Sequence, residues 1–344
     1  MNKRKYFHLK PARLWKKDSS GRVKCCLCER RCIIKKGETG VCRTRVNIDG
    51  NLYTLTYGNL SAVEMRPIEI KPFHHFKPGS WSLTYSSWSC NFFCPWCQNW
   101  RLSRKDGKTK GIILSPFKLI EIALKEDAKG LCCSFNEPTL LHEFNLEVFG
   151  LAKERGLYNT YVSNGYMTIE AIYELKENGL DAINIDIKGT ERVYRDIEKG
   201  VREEMIWRNA KILIELEIHV EMIYLVIRGI NDDESTAISI LKKHLKNCGE
   251  DIPIHINRYY PAYKFDVPPT SVEKLDEIAD IFRKSGIKYV YVGNVQGHPK
   301  SNTYCPNCGE LLVERVGYTS HITESFDRNS QKCKKCGYGI YGIF

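Results

Sequence analysis

Eleven of the fifteen cysteines fall into three spaced groups, and grouped thiols are well suited to holding metal. Disulfides are rare in cytoplasmic proteins, so patterned cysteines there indicate metal binding or catalysis. The groups are Cys25, Cys28, Cys32 and Cys42; Cys90, Cys94 and Cys97; and Cys305, Cys308, Cys333 and Cys336. We expect the other four to be small buried side chains: Cys26, Cys132, Cys133 and Cys248.

The third group consists of two Cys-x-x-Cys pairs, each followed by a glycine, Gly309 or Gly337. Two such turns direct four thiolates at one ion, and the resulting closed tetrahedral site is typical of structural zinc. A rubredoxin-like iron site is the alternative, because iron also accepts four sulfur ligands. We therefore expect a zinc-ribbon-like module over residues 296–344.

The first group places four thiols within 18 residues, with Gly37 and Gly40 available for the turns. Zinc and a [4Fe–4S] cluster both accept four thiolates, and the spacing does not separate them. Unligated thiols are the third interpretation. We expect residues 1–80 to form a cysteine-rich, metal-binding region.

The second group has three cysteines and no obvious fourth ligand. A [4Fe–4S] cluster has four irons to ligate, so three thiolates leave one iron open to a substrate or cofactor. The β-rich run Trp81–Trp88 comes directly before this group. The loop from Cys90 to Cys97 is therefore predicted at the carboxyl end of a strand.

Strand-like and helical runs alternate between Trp81 and Val292, which predicts a parallel α/β fold. The strand-like runs are short and apolar: Leu83–Ser87, Leu131–Phe135, Tyr158–Ser163, Ala182–Ile187, Ile218–Ile227, Ile254–Asn257 and Lys288–Val292. Apolar residues recur every three or four positions in the helical runs: Pro116–Ala128, Leu140–Arg155, Ile169–Asn178, Glu203–Leu216, Glu234–Leu245 and Val272–Lys284. We expect residues 81–295 to form a partial (β/α)6, TIM-like barrel.

Polar residues follow five of the predicted strands. Each one alone is explained as a cap or turn residue, but five polar strand ends on one rim predict a binding site. The residues are Asn136 and Glu137, Ser163 and Asn164, Asp186 and Lys188, Asn231 and Asp232, and His255.

The spacing Cys-x3-Cys-x2-Cys, with Trp96 before the last cysteine, resembles the signature of radical S-adenosylmethionine (SAM) enzymes. The following Gln98-Asn99 is similar to the glycyl-radical activating-enzyme branch. The resemblance implies a [4Fe–4S] cluster on Cys90, Cys94 and Cys97, whose open iron chelates SAM. A low-potential donor of ferredoxin or flavodoxin type would supply one electron for SAM cleavage. The 5′-deoxyadenosyl radical would then abstract hydrogen from a protein or other large substrate.

The same resemblance implies roles for the rim residues. Asn136-Glu137 takes the place of the family's Gly-Gly-Glu, whose acid holds the SAM amino group. The implied partners of the other parts of SAM are Lys188 for the carboxylate, with Asp186 beside a monovalent cation, Ser163 and Asn164 for the methionine part, and His255 near the ribose.

Over nearly its whole length the chain resembles the AmmeMemoRadiSam system radical SAM protein, an activating-enzyme-like group. The resemblance is carried by Tyr57-Gly58, Arg66-Pro67-Ile68-Glu69, Lys71-Pro72-Phe73, His75-Phe76, Pro78-Gly79 and Asn302-Thr303-Tyr304-Cys305-Pro306. The chain departs from true activases because no Gly-Pro-Gly precedes the first strand and residues 98–130 contain no cysteine.

Composition narrows the remaining possibilities. With 42% hydrophobic and 27% charged residues, the 344-residue chain is globular in character. No apolar run is long enough for a membrane helix, and the basic Met1–Lys5 is not followed by a secretory apolar stretch, so we expect a cytoplasmic protein without membrane contact. The net charge of +11 and the aromatic residues Trp96, Trp100, Tyr259 and Tyr260 give a nucleic-acid-binding or nucleic-acid-modifying protein as the alternative. A scaffold stabilised by its metals is a third hypothesis.

Overall fold

The computed structural model describes residues 9–104 and 111–344, so Met1–Lys5 lies outside the described residues. The chain divides into two compact units. Unit 1 comprises residues 1–65 and 82–181, and unit 2 comprises residues 66–81 and 182–344. The boundaries expected from the sequence at residues 80 and 295 stay predictions.

Short strands make up the N-terminal part of unit 1, and the last of them ends at Pro67, in the first residues of unit 2. They are β1 (Lys10–Pro11), β2 (Trp15–Lys17), β3 (Val23–Cys25), β4 (Ile33–Ile34), β5 (Arg45–Ile48), β6 (Asn51–Thr54), β7 (Asn59–Leu60) and β8 (Ala62–Pro67). Two three-stranded sheets result, with the orders β2-β3-β4 and β1-β6-β5. Cys25 thus ends a buried strand, and the loop that follows carries the next two cysteines of its group.

Parallel strands and helices form the rest of unit 1. The elements are β9 (Trp81–Ser86), α1 (Trp100–Ser103), β10 (Ile112–Ile113), α2 (Pro116–Lys125), β11 (Gly130–Cys133), α3 (His142–Glu154), β12 (Tyr158–Ser163) and α4 (Ile169–Glu177). Strand β11 pairs in parallel with both β9 and β12. Helices α2 and α4 begin where Ser115 and Thr168 accept backbone N–H groups as N-caps.

Unit 2 repeats this alternation. Its elements are β13 (Ala182–Ile187), α5 (Glu203–Glu215), β14 (His219–Val226), α6 (Glu234–Asn247), β15 (Ile254–Arg258), α7 (Val272–Lys284) and β16 (Val290–Gly293). The four strands pair in parallel in chain order. Every predicted strand and helix corresponds to an element of the structure, and the expected α/β fold with a parallel sheet is confirmed.

Antiparallel hairpins end the chain. Strands β17 (Thr303–Tyr304), β18 (Leu311–Val316) and β19 (Thr319–Ile322) form one sheet, and β20 (Phe326–Asp327) pairs with β21 (Lys332–Cys333). Buried Leu312, Val313 and Phe326 pack with two of the cysteines in a small core. No helix in the described part of the chain is long and apolar enough to cross a bilayer.

Unit 2 contains a buried polar network around the carboxylate of Glu221. This carboxylate accepts the backbone N–H groups of His74 and His75, at 3.1 and 2.8 Å, and contacts the rings of His219 and His255. Burial opposes the charge, but hydrogen bonds from the two rings hold the pKa of Glu221 well below its usual value. The network fixes the segment 66–81, which carries most of the family-like motifs, against strands of its own unit.

His75 is held neutral within this network. Its Nδ1 faces the carbonyl of Tyr341, which can only accept, so Nδ1 carries the proton and Nε2 accepts from the hydroxyl of Tyr291. Burial lowers the pKa of His75 to about 3.

Because His75 is held neutral, the folded chain loses stability as the pH falls. Below pH ~6.5 the unfolded chain protonates the histidine while the folded chain does not, so stability falls by up to about 1.4 kcal/mol per pH unit until the folded pKa is reached. We predict a fall in the unfolding midpoint from pH 7.5 to 5.0, and a shallower fall in His75→Gln, which keeps a donor and an acceptor. If the unfolding midpoint, measured in thermal melts, fell equally with pH in wild type and His75→Gln, the assignment of His75 as neutral would be wrong.

Candidate active site at the Cys90 loop

The loop that carries Cys90, Cys94 and Cys97 follows strand β9 directly, as expected. Its two ends are closed by a hydrogen bond from the backbone N–H of Ser89 to the carbonyl of Leu102, at 2.9 Å. The short helix α1 begins three residues after the last cysteine. Three thiols are thereby held on one compact loop at the carboxyl end of a parallel strand, where ligands of α/β folds bind.

The three sulfurs of the loop are not gathered as closely as the ligands of a single ion. Within residues 9–104 and 111–344, only the C-terminal cysteine quartet has its ligand atoms all within 4.8 Å of one another. Burial raises the pKa of Cys90 to about 12, so this thiol stays protonated at neutral pH unless a metal displaces the proton. The N–H of Phe92 points at its Sγ, at 3.4 Å, and can stabilise the thiolate.

Two arginines fix the backbone of this loop. Arg104 donates to the carbonyls of Phe92 and Cys94, at 2.7 and 3.3 Å, and Arg30 donates to the carbonyl of Asn91, at 3.0 Å. The carbonyl oxygens of Asn91, Phe92 and Cys94 are therefore held by cationic side chains. The sequence analysis did not identify either arginine, because nothing in their local sequence indicates the partner.

Glu137 joins two strand ends of unit 1. Its Oε1 accepts the N–H and hydroxyl of Thr139 and, at 2.8 Å, the hydroxyl of Ser163, while Oε2 accepts the N–H of Asn164 at 2.9 Å. The side chain is 2% exposed, and burial raises the pKa of Glu137 in spite of these donors. A carboxylate has about four lone-pair positions, so Oε2 keeps room for one further donor.

Two asparagines connect this junction to the cluster loop. Asn136 donates its Nδ2–H to the carbonyl of Ser89, at 2.7 Å, and Asn164 donates to Oδ1 of Asn91, at 2.8 Å. Ser89 and Asn91 flank Cys90 in sequence. The four predicted residues of unit 1 are thus brought together with the loop, as a site would require; that they bind SAM stays a prediction.

The backbone next to Glu137 keeps a conformation suited to glycine. Phe135 stands where the family has a glycine, and its φ is +69°. A left-handed conformation costs a residue with a side chain roughly 1–2 kcal/mol. The family-like turn is therefore preserved by its surroundings even though the glycine is absent.

Asp186 and Lys188 belong to unit 2 and pair with each other. The Nζ of Lys188 lies 2.5 Å from Oδ2 of Asp186, and the other carboxylate oxygen is buried without a partner. The hydroxyl of Tyr194 accepts the backbone N–H of Lys188 and holds the end of the strand. The predicted acid–lysine pair therefore exists as an ion pair, and its role toward SAM stays a prediction.

His255 is fully buried in the Glu221 network, with Nε2 at 2.7 Å from Oε2 of that glutamate. Its Nδ1 has no hydrogen-bond partner. The ring is thus positioned by a buried carboxylate, and contact with the SAM ribose stays a prediction.

The remaining two cysteine groups differ in geometry. In the C-terminal quartet the sulfurs of Cys305 and Cys336 are 3.5 Å apart, and those of Cys308 and Cys333 are 3.7 Å apart. Zn–S bonds of ~2.3 Å in a tetrahedron place sulfurs ~3.8 Å apart, so this quartet fits a single ion. The N-terminal quartet lines one cavity in unit 1: Cys25, Cys28, Cys32 and Cys42.

Comparison with known proteins identifies the family. The model of the radical SAM superfamily matches residues 87–241, which include the Cys90 loop and the Glu137 junction. An uncharacterized protein of Methanocaldococcus jannaschii is 36% identical over 96% of this chain and 99% of its own length. The mitochondrial GTP 3′,8-cyclase of Arabidopsis thaliana is 24% identical, over 74% of this chain and 64% of that protein.

A solved structure shares the fold. Streptococcus suis SuiB bound to S-adenosylmethionine superimposes with a TM-score of 0.51, at 12% identity, over 70% of this chain and 56% of that one. The family model, together with the loop of three cysteines at a parallel strand end, shows that residues 87–241 form a radical SAM superfamily domain.

Proposed function

We propose that the chain binds a [4Fe–4S] cluster through Cys90, Cys94 and Cys97, binds SAM beside it, and abstracts hydrogen from a protein or other macromolecule. The observation that carries this proposal is the hydrogen-bonded connection from the cluster loop to Glu137. The side chains of Asn136 and Asn164 donate to Ser89 and Asn91 on either side of Cys90. Asn136 is next to Glu137 in sequence and the backbone N–H of Asn164 donates to the Glu137 carboxylate, so groups for the cluster and for a ligand are held together.

The residues of this chain orient and shield the reaction. When bound, the cluster supplies the electron that cleaves SAM to methionine and a 5′-deoxyadenosyl radical. The open lone pair on Oε2 of Glu137 suits the SAM ammonium. Buried Asn91 and Glu137 keep water from this rim, which protects a radical intermediate. A ferredoxin- or flavodoxin-type protein is the proposed source of electrons.

We favour a protein as the substrate and an activating-enzyme-like reaction on it. The Gln98-Asn99 motif after the cluster loop and the Asp186–Lys188 pair support it, as does the resemblance to the AmmeMemoRadiSam group.

A nucleic acid or nucleotide substrate is the second candidate, favoured by the charge of +11 and by the relative named as a GTP cyclase. Two of the four aromatics considered for base stacking, Trp96 and Tyr259, are buried and cannot stack on bases. Trp100 and Tyr260 remain exposed. The burial of these two side chains weakens the case for base stacking, while the net positive charge still favours a nucleic acid.

We predict reductive SAM cleavage by the anaerobically reconstituted chain. Incubation with SAM and dithionite should give 5′-deoxyadenosine, measured by mass spectrometry, and Cys94→Ala should abolish this product and remove the iron bound at the Cys90 loop. Cys248→Ala, which alters a cysteine outside the groups, is the control and should behave as wild type. A full cluster with no cleavage would refute the catalytic proposal.

The substrate class can be read from the hydrogen that the radical takes. We predict that an extract of deuterium-grown host cells transfers deuterium to 5′-deoxyadenosine, and that prior protease treatment abolishes the transfer. Loss after nuclease treatment instead would favour nucleic acid, and transfer from the ultrafiltrate would indicate a small molecule.

Glu137→Gln should weaken SAM binding by roughly 10- to 100-fold, because a charge-assisted hydrogen bond is worth about 1.5–3 kcal/mol. The iron content should not change, since the carboxylate is not a cluster ligand. Calorimetry on reconstituted protein measures the affinity, with Glu147→Gln, an exposed glutamate on α3, as the control. Equal affinity in both variants would remove Glu137 from the SAM site.

The C-terminal quartet is proposed to hold one zinc ion. Cys308→Ala should lose about one zinc per chain and lower the unfolding midpoint, because structural zinc stabilises the fold directly. SAM cleavage should persist. Loss of cleavage with a full cluster would mean that the quartet does more than stabilise unit 2.

A further inference from the structure

The N-terminal quartet surrounds a cavity that the reaction proposed above does not use. Cys25, Cys28, Cys32 and Cys42 line it together with Arg45, Asn91 and Leu140. Three of the four thiols are buried, and all four are free of disulfides. A set of four thiols around one cavity is a metal site by its chemistry, and the question is which metal centre it fits.

The spacing of the sulfurs differs from that of the C-terminal quartet, which fits a single tetrahedral ion. A lone zinc ion would bring four sulfurs to about 3.8 Å from one another, as the C-terminal quartet nearly does. The N-terminal sulfurs are not all within 4.8 Å, although every one of the four lies in the described part of the chain. A cluster places irons and sulfides between its thiolates and therefore needs this wider spacing. The Cys90 trio shows the same wide spacing.

Unpartnered donors line the same cavity. Arg45 is 1% exposed; its Nη1 pairs with Glu143, but Nε and Nη2 have no hydrogen-bond partner. The Nδ2 of fully buried Asn91 also has none. Buried N–H groups without partners are costly, and the sulfides and thiolates of an anionic cluster would accept hydrogen bonds from them.

The cavity is joined directly to the catalytic loop. The hydroxyl of Ser89 donates to the carbonyl of Cys42, at 2.6 Å, and Arg30, which lies within the quartet's loop, donates to the carbonyl of Asn91. These two contacts fall on either side of Cys90. The hydrogen bond between Ser89 and Cys42 therefore connects one ligand of the N-terminal site to the residue next to Cys90, and this path lies entirely within unit 1.

We infer that Cys25, Cys28, Cys32 and Cys42 hold a second [4Fe–4S] cluster, which relays electrons to the cluster at Cys90. In each turnover a low-potential donor protein gives one electron to the N-terminal cluster and reduces it. That cluster is reoxidised as it passes the electron to the Cys90 cluster, from which SAM is cleaved. The presence of the second cluster is independent of the function proposed above; its role as a relay rests on that function.

Metal content tests the second cluster. Reconstituted wild-type chain should contain about eight irons and one zinc. The variant Cys90→Ala/Cys94→Ala/Cys97→Ala should keep about four irons and give a paramagnetic signal on reduction. Adding Cys28→Ala/Cys32→Ala to this triple variant should remove the remaining irons and the paramagnetic signal. Adding Cys26→Ala instead, which alters a neighbouring cysteine outside the quartet, should remove neither. About four irons and two zincs in the wild-type chain would overturn the inference, even if a variant failed to fold.

Electron delivery tests the relay. In Cys28→Ala/Cys32→Ala with a full Cys90 cluster, SAM cleavage driven by titanium(III) citrate should persist, because a small reductant reaches the Cys90 cluster directly. Cleavage driven by reduced flavodoxin should be lost. Equal flavodoxin-driven rates in wild type and variant would overturn the relay. A wild-type chain that cleaves SAM with neither reductant would instead refute the proposed function.

Discussion

A single buried carboxylate determines the shape of the site in unit 1. Glu137 caps the 3₁₀ turn that follows strand β11 and accepts donors from Thr139 in that turn and from Ser163 and Asn164 at the end of the next strand. Removing a charge so well hydrogen-bonded from its donors would leave each of them unpaired in a dry environment. The loops at the two strand ends therefore have one compatible arrangement, and the cluster loop is attached to that arrangement through Asn136 and Asn164.

The elements of the fold were predictable because each one is encoded locally. A parallel strand such as Tyr158–Ser163 is a short apolar run whatever it pairs with, and α7 matches its predicted bounds because Ser271 and the recurring Leu275, Ile278, Ala279 and Phe282 are adjacent in sequence. Only the ends of other elements shifted by a few residues. The predicted helix at Leu140, for example, begins at His142, because Pro138–Leu141 forms a tighter 3₁₀ turn.

The contacts of the site could not be predicted in the same way. Arg30 and Asn91 are 61 residues apart, and Asn91 and Asn164 are 73 apart, so no local pattern connects them. The family resemblance, and not its local sequence, predicts His255 as a ribose contact. Glu221, equally polar on the neighbouring strand, was overlooked, and it is the residue that holds the His255 ring.

The buried arginine beside the N-terminal quartet has an electrostatic explanation. A buried pair such as Arg45 and Glu143 contributes little to stability alone, because desolvation offsets the attraction. Glu143 also accepts the backbone N–H of Arg13, whereas the Nε and Nη2 nitrogens of Arg45 have no hydrogen-bond partner. A cation kept in the core with spare donors is costly unless an anion faces it. The cluster proposed for the N-terminal quartet would carry such a negative charge, and its four cysteines line the same cavity as Arg45. The buried arginine is then a means of lowering the cost of adding an electron to that cluster, as a relay requires.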